Sequence, residues 1–166
     1  MLFPSNLKEL DISCNILKLY TLSLLPISLI KLDLIFCDLE NISFLERLIN
    51  LKELNISWNN LQWFNLNNLP ISLIIIYMKH CTLTDVSCLG RLINLQKVNL
   101  KFNNLQMCNL NNLPIGLIKL NISYCNLEDV SFLTRLINLR KLNIRWNNLQ
   151  FCNFNNLPIG IKCIKL

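Results

Sequence analysis

Apolar residues recur along this chain with a fixed period. The triplet Leu-Pro-Ile begins at Leu25 and returns every 44 residues, at Leu69, Leu113 and Leu157. Each 44-residue block divides into two units of 22, and no insertion or deletion disturbs the spacing. An eighth, incomplete unit begins at Ile161, and the seven full units begin at Leu7, Leu29, Leu51, Leu73, Leu95, Leu117 and Leu139. Such a period indicates an array of similar structural units that stack on one another.

Within each unit the apolar positions alternate as they do in a short β-strand. The pattern is L-x-x-L-x-L-x-x-N/C-x-L, and it is clearest in the unit that runs from Leu51 to Leu61. Its fourth and sixth residues point to the same side, and one unit alone cannot bury them. Neighbouring units therefore stack, and we predict a parallel sheet with a continuous core. The eight predicted strands are centred on Asp11, Asp33, Asn55, Tyr77, Asn99, Asn121, Asn143 and Lys165.

This pattern resembles that of leucine-rich-repeat proteins, and the resemblance covers nearly the whole chain. It implies a single domain over residues 1–166: an α/β-type solenoid, curved as a right-handed superhelix, with one parallel sheet. The outer segments of alternate units differ. The spacing of apolar residues in 129–138 favours 3₁₀ or α turns, and this half resembles repeats of internalins and of a protein-phosphatase regulatory subunit. Residues 105–114 carry Pro and paired Asn, which favour extended or turn structure, and resemble the proline-bearing repeats of bacterial effectors.

Composition excludes several classes of protein. Hydrophobic residues make up 52% of the chain and charged residues 16%, so the chain buries a core and is not disordered. Ala is absent whereas Asn occurs 26 times, which argues against a mostly helical protein. The longest apolar run, residues 73–78, is far shorter than the ~20 residues of a membrane span. The first residues lack the features of a signal peptide, and we expect a cytoplasmic protein that does not bind membranes.

The chain has eight cysteines, and several of them recur with the repeat. Cys37, Cys81 and Cys125 occupy the ninth position of alternate units, and Asn occupies it in the others. In leucine-rich repeats this residue lies buried at the turn that leaves the strand. Successive cysteines at this position are two units apart, about 10 Å at strand spacing. Because a disulfide needs Cα atoms within about 7 Å, we predict free structural thiols, which suit a reducing compartment.

The third, fifth, seventh and eighth positions of each unit are expected to form the concave face. The eighth position is aromatic in five of the seven full units, the fifth is mostly Asn, and the seventh supplies several cations. Aromatic residues exposed together are typical of recognition surfaces. We therefore predict a partner-binding face formed by Phe36, Trp58, His80, Phe102, Tyr124, Trp146, Tyr77, Asn99, Asn121, Asn143, Lys79, Lys101 and Arg145.

A structural interpretation of the aromatic row stands beside this one. The rings would stack over the strand ends for stability alone, or would have been copied with the repeats without selection for binding. Replacing Trp58, Phe102 and Trp146 together would separate the two interpretations.

Charge is distributed unevenly between the two halves of the chain. Residues 1–83 carry six Lys or Arg and seven Asp or Glu, a net −1, whereas residues 84–166 carry ten and three, a net +7. A basic, aromatic face suits an acidic protein partner. Single-stranded nucleic acid is the less favoured ligand, because Arg91, Arg135 and Arg140 are expected to lie away from the concave face.

No catalytic residue, cofactor site or metal site is predicted. His80 and Cys81 are expected to point to opposite sides of a strand end, and the chain lacks the paired ligands of a zinc site. Its three glycines are scattered, so no phosphate-binding loop is expected, and the Glu128–Asp129 pair suits a turn. The predicted function is non-catalytic protein–protein interaction. The alternatives are a recognition or regulatory part of a larger effector-like or phosphatase-regulator-like protein, and a purely structural repeat fragment.

Neither end of the sequence resembles a polar capping unit. Repeat arrays ordinarily need such caps, because an uncovered end exposes core residues and an open strand edge. This motivates the expectation that the chain belongs to a longer array or self-associates through its ends.

Overall fold

The structure is a computed structural model that describes residues 3–16 and 19–165, with the side chains of residues 19 and 20 excepted. Within this range the chain forms one open, eight-stranded parallel sheet whose strands follow each other in sequence order. Each strand pairs with the next at an offset of 22 residues, as Glu9 pairs with Lys31. The predicted leucine-rich-repeat solenoid is thereby confirmed. The predicted domain bounds also include Met1, Leu2, Leu17, Lys18 and Leu166, which lie outside the described residues.

The strands are three residues long. They are β1 Glu9–Asp11, β2 Lys31–Asp33, β3 Glu53–Asn55, β4 Ile75–Tyr77, β5 Lys97–Asn99, β6 Lys119–Asn121, β7 Lys141–Asn143 and β8 Cys163–Lys165. The residues predicted as strand centres are in fact the last strand residues. Hydrogen bonds between units continue beyond them, since the N–H of Ile12 donates to the carbonyl of Asp33 at 3.1 Å. The strands end early because the chain enters a tight turn two residues later.

The outer segments contain short helical turns of two kinds. Five-residue 3₁₀ turns lie in one half of each 44-residue block, at Ser43–Arg47, Ser87–Arg91 and Ser131–Arg135. The proline-bearing halves contain shorter ones, at Leu66–Asn68 and Leu110–Asn112, and the first unit has an α-turn at Leu19–Leu22. Side chains fix where these turns begin, since Asp129 accepts the N–H of Ser131 at 3.0 Å. The Ser131 hydroxyl and this backbone bond lower the pKa of Asp129, and this carboxylate serves the start of the turn.

The core is a continuous column of leucine and isoleucine between the sheet and the outer segments. In the third unit Leu51, Leu54, Ile56 and Leu61 are all fully buried, and the same positions are buried in the neighbouring units. Each unit therefore buries its apolar edge against two others, as expected for a solenoid. Strand β8 is exposed along its whole length.

A ladder of ninth-position side chains holds the turn that follows each strand. Asn103 is 5% exposed, and its Oδ1 accepts the N–H groups of Cys81 at 3.1 Å and Leu83 at 3.0 Å. Its Nδ2 donates to the carbonyls of Met78 at 2.8 Å and Leu100 at 2.7 Å. One amide therefore satisfies four buried backbone groups and joins two units.

Cysteine fills the ladder positions between the asparagines. The Sγ of Cys81 donates to the carbonyl of Ile56 at 3.3 Å, and Cys125 does the same to Leu100 at 3.2 Å. Burial raises the pKa of both thiols to about 12, so they stay protonated as donors. All eight cysteines are free, as predicted.

An arginine recurs at the same position of alternate units and donates hydrogen bonds to backbone carbonyls on the outer side of the solenoid. Arg47, Arg91 and Arg135 lie 44 residues apart, and each donates to carbonyl groups of the preceding unit. Arg135, for example, reaches the carbonyl of Leu113 at 3.2 Å. The expectation that Arg91 and Arg135 lie away from the concave face is confirmed, and both residues join adjacent units.

The ladder predicts a large penalty for Asn103→Ala. The substitution leaves three buried backbone groups without a partner, namely the N–H groups of Cys81 and Leu83 and the carbonyl of Met78, and we expect a loss of about 3 kcal/mol in the free energy of unfolding. Asn104→Ala is the matched control, because Asn104 is the exposed neighbour and should lose less than about 1 kcal/mol. Urea denaturation of the three proteins measures both values. Equal stabilities for the two variants would show that the ladder does not hold the turn.

Candidate binding surface on the sheet face

The eighth residue of each of the seven full units has a left-handed backbone. Its φ lies between 52° and 61° at Cys14, Phe36, Trp58, His80, Phe102, Tyr124 and Trp146. For an L-residue with a bulky side chain this conformation costs roughly 1–2 kcal/mol. The ladder residue that follows offsets the cost, because its bonds fix the turn. The strand end therefore projects a large side chain away from the core.

Five of these side chains, from Trp58 to Trp146, form a stack of rings along the sheet edge. We call Phe36, Trp58, His80, Phe102, Tyr124 and Trp146 the aromatic stripe. Ring centroids are 3.9 Å apart for Trp58 and His80, 4.1 Å for His80 and Phe102, and 4.4 Å for Phe102 and Tyr124. The distance from Tyr124 to Trp146 is 5.5 Å. Four consecutive ring pairs are thus in close contact.

Stacking decides which part of each ring is accessible. The rings of His80 and Phe102 are covered on both faces by their neighbours, and both residues are half-buried. Phe36 and Trp146, at the two ends of the stripe, are 65% and 70% exposed. The middle of the stripe therefore presents ring edges to solvent. Aromatic edges carry the positive part of the ring quadrupole.

The fifth-position amides are partly committed to the turn. Asn99 Oδ1 accepts the N–H of Lys101 at 3.1 Å, and Asn143 Oδ1 accepts that of Arg145 at 3.2 Å. Asn121 makes the same bond to Ser123 at 3.1 Å. Their position two residues before the bonded N–H is the sequence feature that indicates this role. These predicted site residues support the backbone with Oδ1.

Cations lie over and beside the stripe. Lys101 Nζ is 4.5 Å from the Phe102 ring centroid and 5.2 Å from that of Tyr124. Lys79 Nζ is 5.3 Å from the Trp58 centroid, and Arg145 is exposed. Two of the predicted cations, Lys79 and Lys101, are thus brought together with the stripe and add positive charge to it.

The sheet face is acidic at one end and basic at the other. Strand β1 presents Glu9 and Asp11, whereas Lys97, Lys119 and Lys141 pair across β5, β6 and β7. These lysines line a shallow depression of about 250 Å³. Among the described residues the ion pair of Lys31 with Glu53, at 3.8 Å, lies at the acidic end. The lysine row therefore keeps its charge available.

Tyr77 marks the boundary between the two ends of the face. Its hydroxyl accepts a hydrogen bond from Lys97 Nζ at 2.6 Å, and the same ammonium lies 4.8 Å from the ring centroid. Tyr77 is therefore held against the first lysine of the row.

The surroundings of His80 lower its pKa. Partial burial between two rings disfavours the imidazolium, and Lys79 and Lys101 add repulsion. Cys81 points inward, so the adjacent histidine and cysteine lie on opposite sides as expected. No group of three or more metal-ligating side chains occurs within residues 3–16 and 19–165. In the same ranges no helix is long and apolar enough to cross a bilayer.

Comparison with known proteins agrees with this architecture. A family model described as a leucine-rich repeat matches residues 47–62. A leucine-rich-repeat protein of Leptospira interrogans is 26% identical with a TM-score of 0.74, over 88% of this chain and 40% of that protein. Internalin C2 of Listeria monocytogenes is 24% identical with a TM-score of 0.79, over 98% of this chain and 72% of that one. A second Listeria internalin is 15% identical with a TM-score of 0.64, over 98% and 62%. No curated protein matches the sequence.

The sheet, the ladder and the partial match to the repeat model define the class of fold: the chain forms a leucine-rich-repeat solenoid. Within that class its solenoid resembles the internalin type. The chain spans 40% of the length of the Leptospira protein. Domains of this class generally act as protein–protein interaction modules and are typically non-catalytic.

Because the pKa of His80 is lowered, stability should depend on pH below neutrality. The unfolded chain binds a proton near its ordinary pKa of 6.5, before the folded chain does, so the free energy of unfolding falls as pH drops through that range. We expect this decrease between about pH 7 and pH 5. His80→Phe keeps the stack and should abolish the decrease. Urea denaturation at both pH values measures the effect. A wild type whose stability is the same at both would contradict it.

Proposed function

We propose that the protein binds an acidic protein partner through the aromatic stripe and the basic end of the sheet face. The observation that carries the proposal is the edge-on stack from Trp58 to Trp146, flanked by Lys79, Lys101 and Arg145. Ring edges and ammonium groups both attract carboxylate oxygens. The stripe and its flanking residues therefore favour a negatively charged partner.

Rigidity of the surface supports the same proposal. The stripe side chains are fixed by a left-handed backbone and by ring contacts, and the amides beside them are bonded to the turn. Binding would therefore cost little side-chain entropy. The stack contributes to stability as well, so the structural and binding interpretations of the stripe are compatible.

The row of three lysines supports a partner that carries several acidic side chains. Strand pairing places Lys97, Lys119 and Lys141 side by side, at about 4.8 Å per strand. Like charges at this spacing repel each other, and a partner with several carboxylates relieves the repulsion. Tyr77 sets the limit of this row, and beyond it the face becomes acidic.

Ring stacking argues against single-stranded nucleic acid as the ligand. Proteins of that class offer ring faces on which bases stack. In this stripe the faces of His80 and Phe102 are already covered by their neighbours.

We place the protein in a reducing compartment such as the cytoplasm, and this too is a proposal. Its support is the set of free thiols, three of which donate hydrogen bonds in the ladder. Oxidation of these thiols would remove donors that the turn uses.

The binding proposal predicts that Trp58→Ser, Phe102→Ser and Trp146→Ser together weaken acidic ligands. A phage-displayed random peptide library selected on the wild type should enrich peptides rich in Asp and Glu. Fluorescence polarisation with an enriched peptide should show at least tenfold weaker binding to this stripe variant, because central aromatic contacts dominate interfaces. Wild-type affinity should fall as salt rises.

The matched control replaces three exposed apolar residues of the same three units on the outer side. They are Trp63, Met107 and Phe151, all replaced by Ser in one convex variant. It should bind the peptide as the wild type does. Circular dichroism and thermal unfolding check that the stripe variant folds. If the stripe variant does not fold, the single variant Trp146→Ser, at the exposed end of the stack, replaces it in the binding measurement. Enriched peptides without excess acid, or equal binding by stripe and convex variants, would refute the proposal.

A further inference from the structure

A second apolar row lies at the opposite end of the strands from the aromatic stripe. It consists of an isoleucine that recurs every 22 residues, just before each strand from β2 to β8, and we call it the isoleucine ridge. Its members are Ile27, Ile49, Ile71, Ile93, Ile115, Ile137 and Ile159. Their exposure ranges from 52% at Ile27 to the whole of the Ile159 side chain. None of these side chains is used by the core or by the stripe.

Each ridge residue lies at the first corner of a tight turn. The turn is closed by a backbone hydrogen bond, as from Leu29 N–H to the Pro26 carbonyl at 3.2 Å, or from Leu95 N–H to the Leu92 carbonyl at 2.9 Å. Pro and polar residues suit such a corner, and nothing in the turn requires a β-branched apolar side chain. The turn therefore gives no local structural reason for an exposed isoleucine at this position.

Side-chain hydrogen bonds between units hold the ridge rigid. Asn50 Nδ2 donates to the carbonyl of Ile27 at 3.0 Å, and Asn138 Nδ2 donates to that of Ile115 at 3.1 Å. These bonds tie the turn of one unit to that of the next. The ridge is consequently ordered before it meets any partner, which lowers the entropic cost of association.

Continuity distinguishes the ridge from the other exposed apolar residues. Trp63, Met107 and Phe151 are 84%, 92% and 91% exposed, but they lie in alternate units. Asp85 and Asp129 occupy the same position in the units between them. Isolated apolar residues are common on protein surfaces, whereas a continuous row of this length marks an interface.

We propose that the isoleucine ridge is the seam of a homodimer in which two copies pack ridge against ridge in opposite directions. The spacing of the ridge carries this choice of partner. Side chains at about 4.8 Å intervals interdigitate along their whole length only with a row of the same interval. A second copy of the chain supplies that row, and a two-fold axis near Ile93 makes the contact self-complementary.

The exposed area is sufficient for such a dimer. Seven isoleucines exposed to this extent offer roughly 600–800 Å² of apolar surface on each copy. A standard protein interface buries about 800 Å² per partner. The ridge alone therefore provides most of the contact that a stable dimer needs.

Charge determines the direction of packing. The first half of the chain carries −1 and the second half +7, from six cations against seven acids and ten against three. Parallel packing sets the two +7 halves against each other and places Lys162 of one copy next to Lys162 of the other. Antiparallel packing sets each +7 half against a −1 half and brings Lys162 near Ile30 of the second copy.

This dimer leaves the aromatic stripe open on both copies, because ridge and stripe lie at opposite ends of the strands. The inference therefore does not depend on the proposed function. The dimer would make the proposed partner binding bivalent, since one dimer presents two stripes.

The oligomeric state of the 166-residue chain tests the proposal. Sedimentation velocity and light scattering from about 1 to about 100 µM should give twice the 19.4 kDa chain mass for the wild type and for the convex variant. A ridge variant carrying Ile71→Thr, Ile93→Thr and Ile115→Thr should be monomeric over this range, or dimerise at least tenfold more weakly. Threonine keeps the β-branched shape, and circular dichroism checks the fold.

Cross-linking tests the direction. A mixture of ¹⁴N- and ¹⁵N-labelled protein treated with a lysine cross-linker should give mixed-isotope Lys8–Lys162 links. Mixed links of Lys8 to Lys8 and of Lys162 to Lys162 would overturn antiparallel packing. A monomeric wild type, or association that the ridge variant retains, such as end-to-end growth of the array, would overturn the dimer. Ridge-dependent binding of monomers to anionic vesicles would assign the ridge to a membrane surface and also overturn it.

Discussion

The structure depends on the buried turn that follows each strand. One side chain per unit, Asn or Cys at the ninth position, bonds the backbone of its own unit and of the preceding one. Without those bonds the turn would bury unsatisfied backbone groups, each at a cost of about 1–3 kcal/mol. With them the residue before, at the eighth position, is held in a left-handed conformation. The inward and outward directions of all neighbouring side chains follow from that turn.

The surfaces of the solenoid are consequences of this repeated geometry. Any residue type placed at one position of the 22-residue unit becomes a row along the whole array. Rings at the eighth position become the aromatic stripe, and isoleucines before the strand become the ridge. Lysines at the third position become a row of positive charge in the second half of the sheet. The two apolar rows lie at opposite ends of the same strands, so each is accessible without obstruction by the other.

Much of the fold could be predicted from the sequence because packing is periodic. The 22-residue spacing determines the number and order of strands, and the ninth-position Asn and Cys identify the ladder. Other features depend on geometry that spacing does not contain. Ring contact between Trp58 and His80 depends on side-chain rotamers, and the arginine bonds depend on how far a long side chain reaches over the outer turns. The sequence pattern does not distinguish the ridge for a related reason. Isoleucine close to Leu25 or Leu48 has the composition of core, and only the turn shows that its side chain points outward.

The left-handed turn beneath the stripe is the central claim, and the stabilities of Phe102→Gly and Phe102→Ala test it most directly. Both variants lose the ring, so the loss of stacking cancels in their difference. At a φ of 60°, alanine is strained and glycine is not, and we expect the glycine variant to be more stable by about 1 kcal/mol in urea denaturation. In extended or helical backbone the order reverses, with glycine less stable by about 0.5–1 kcal/mol. An alanine variant more stable than the glycine variant would contradict the account.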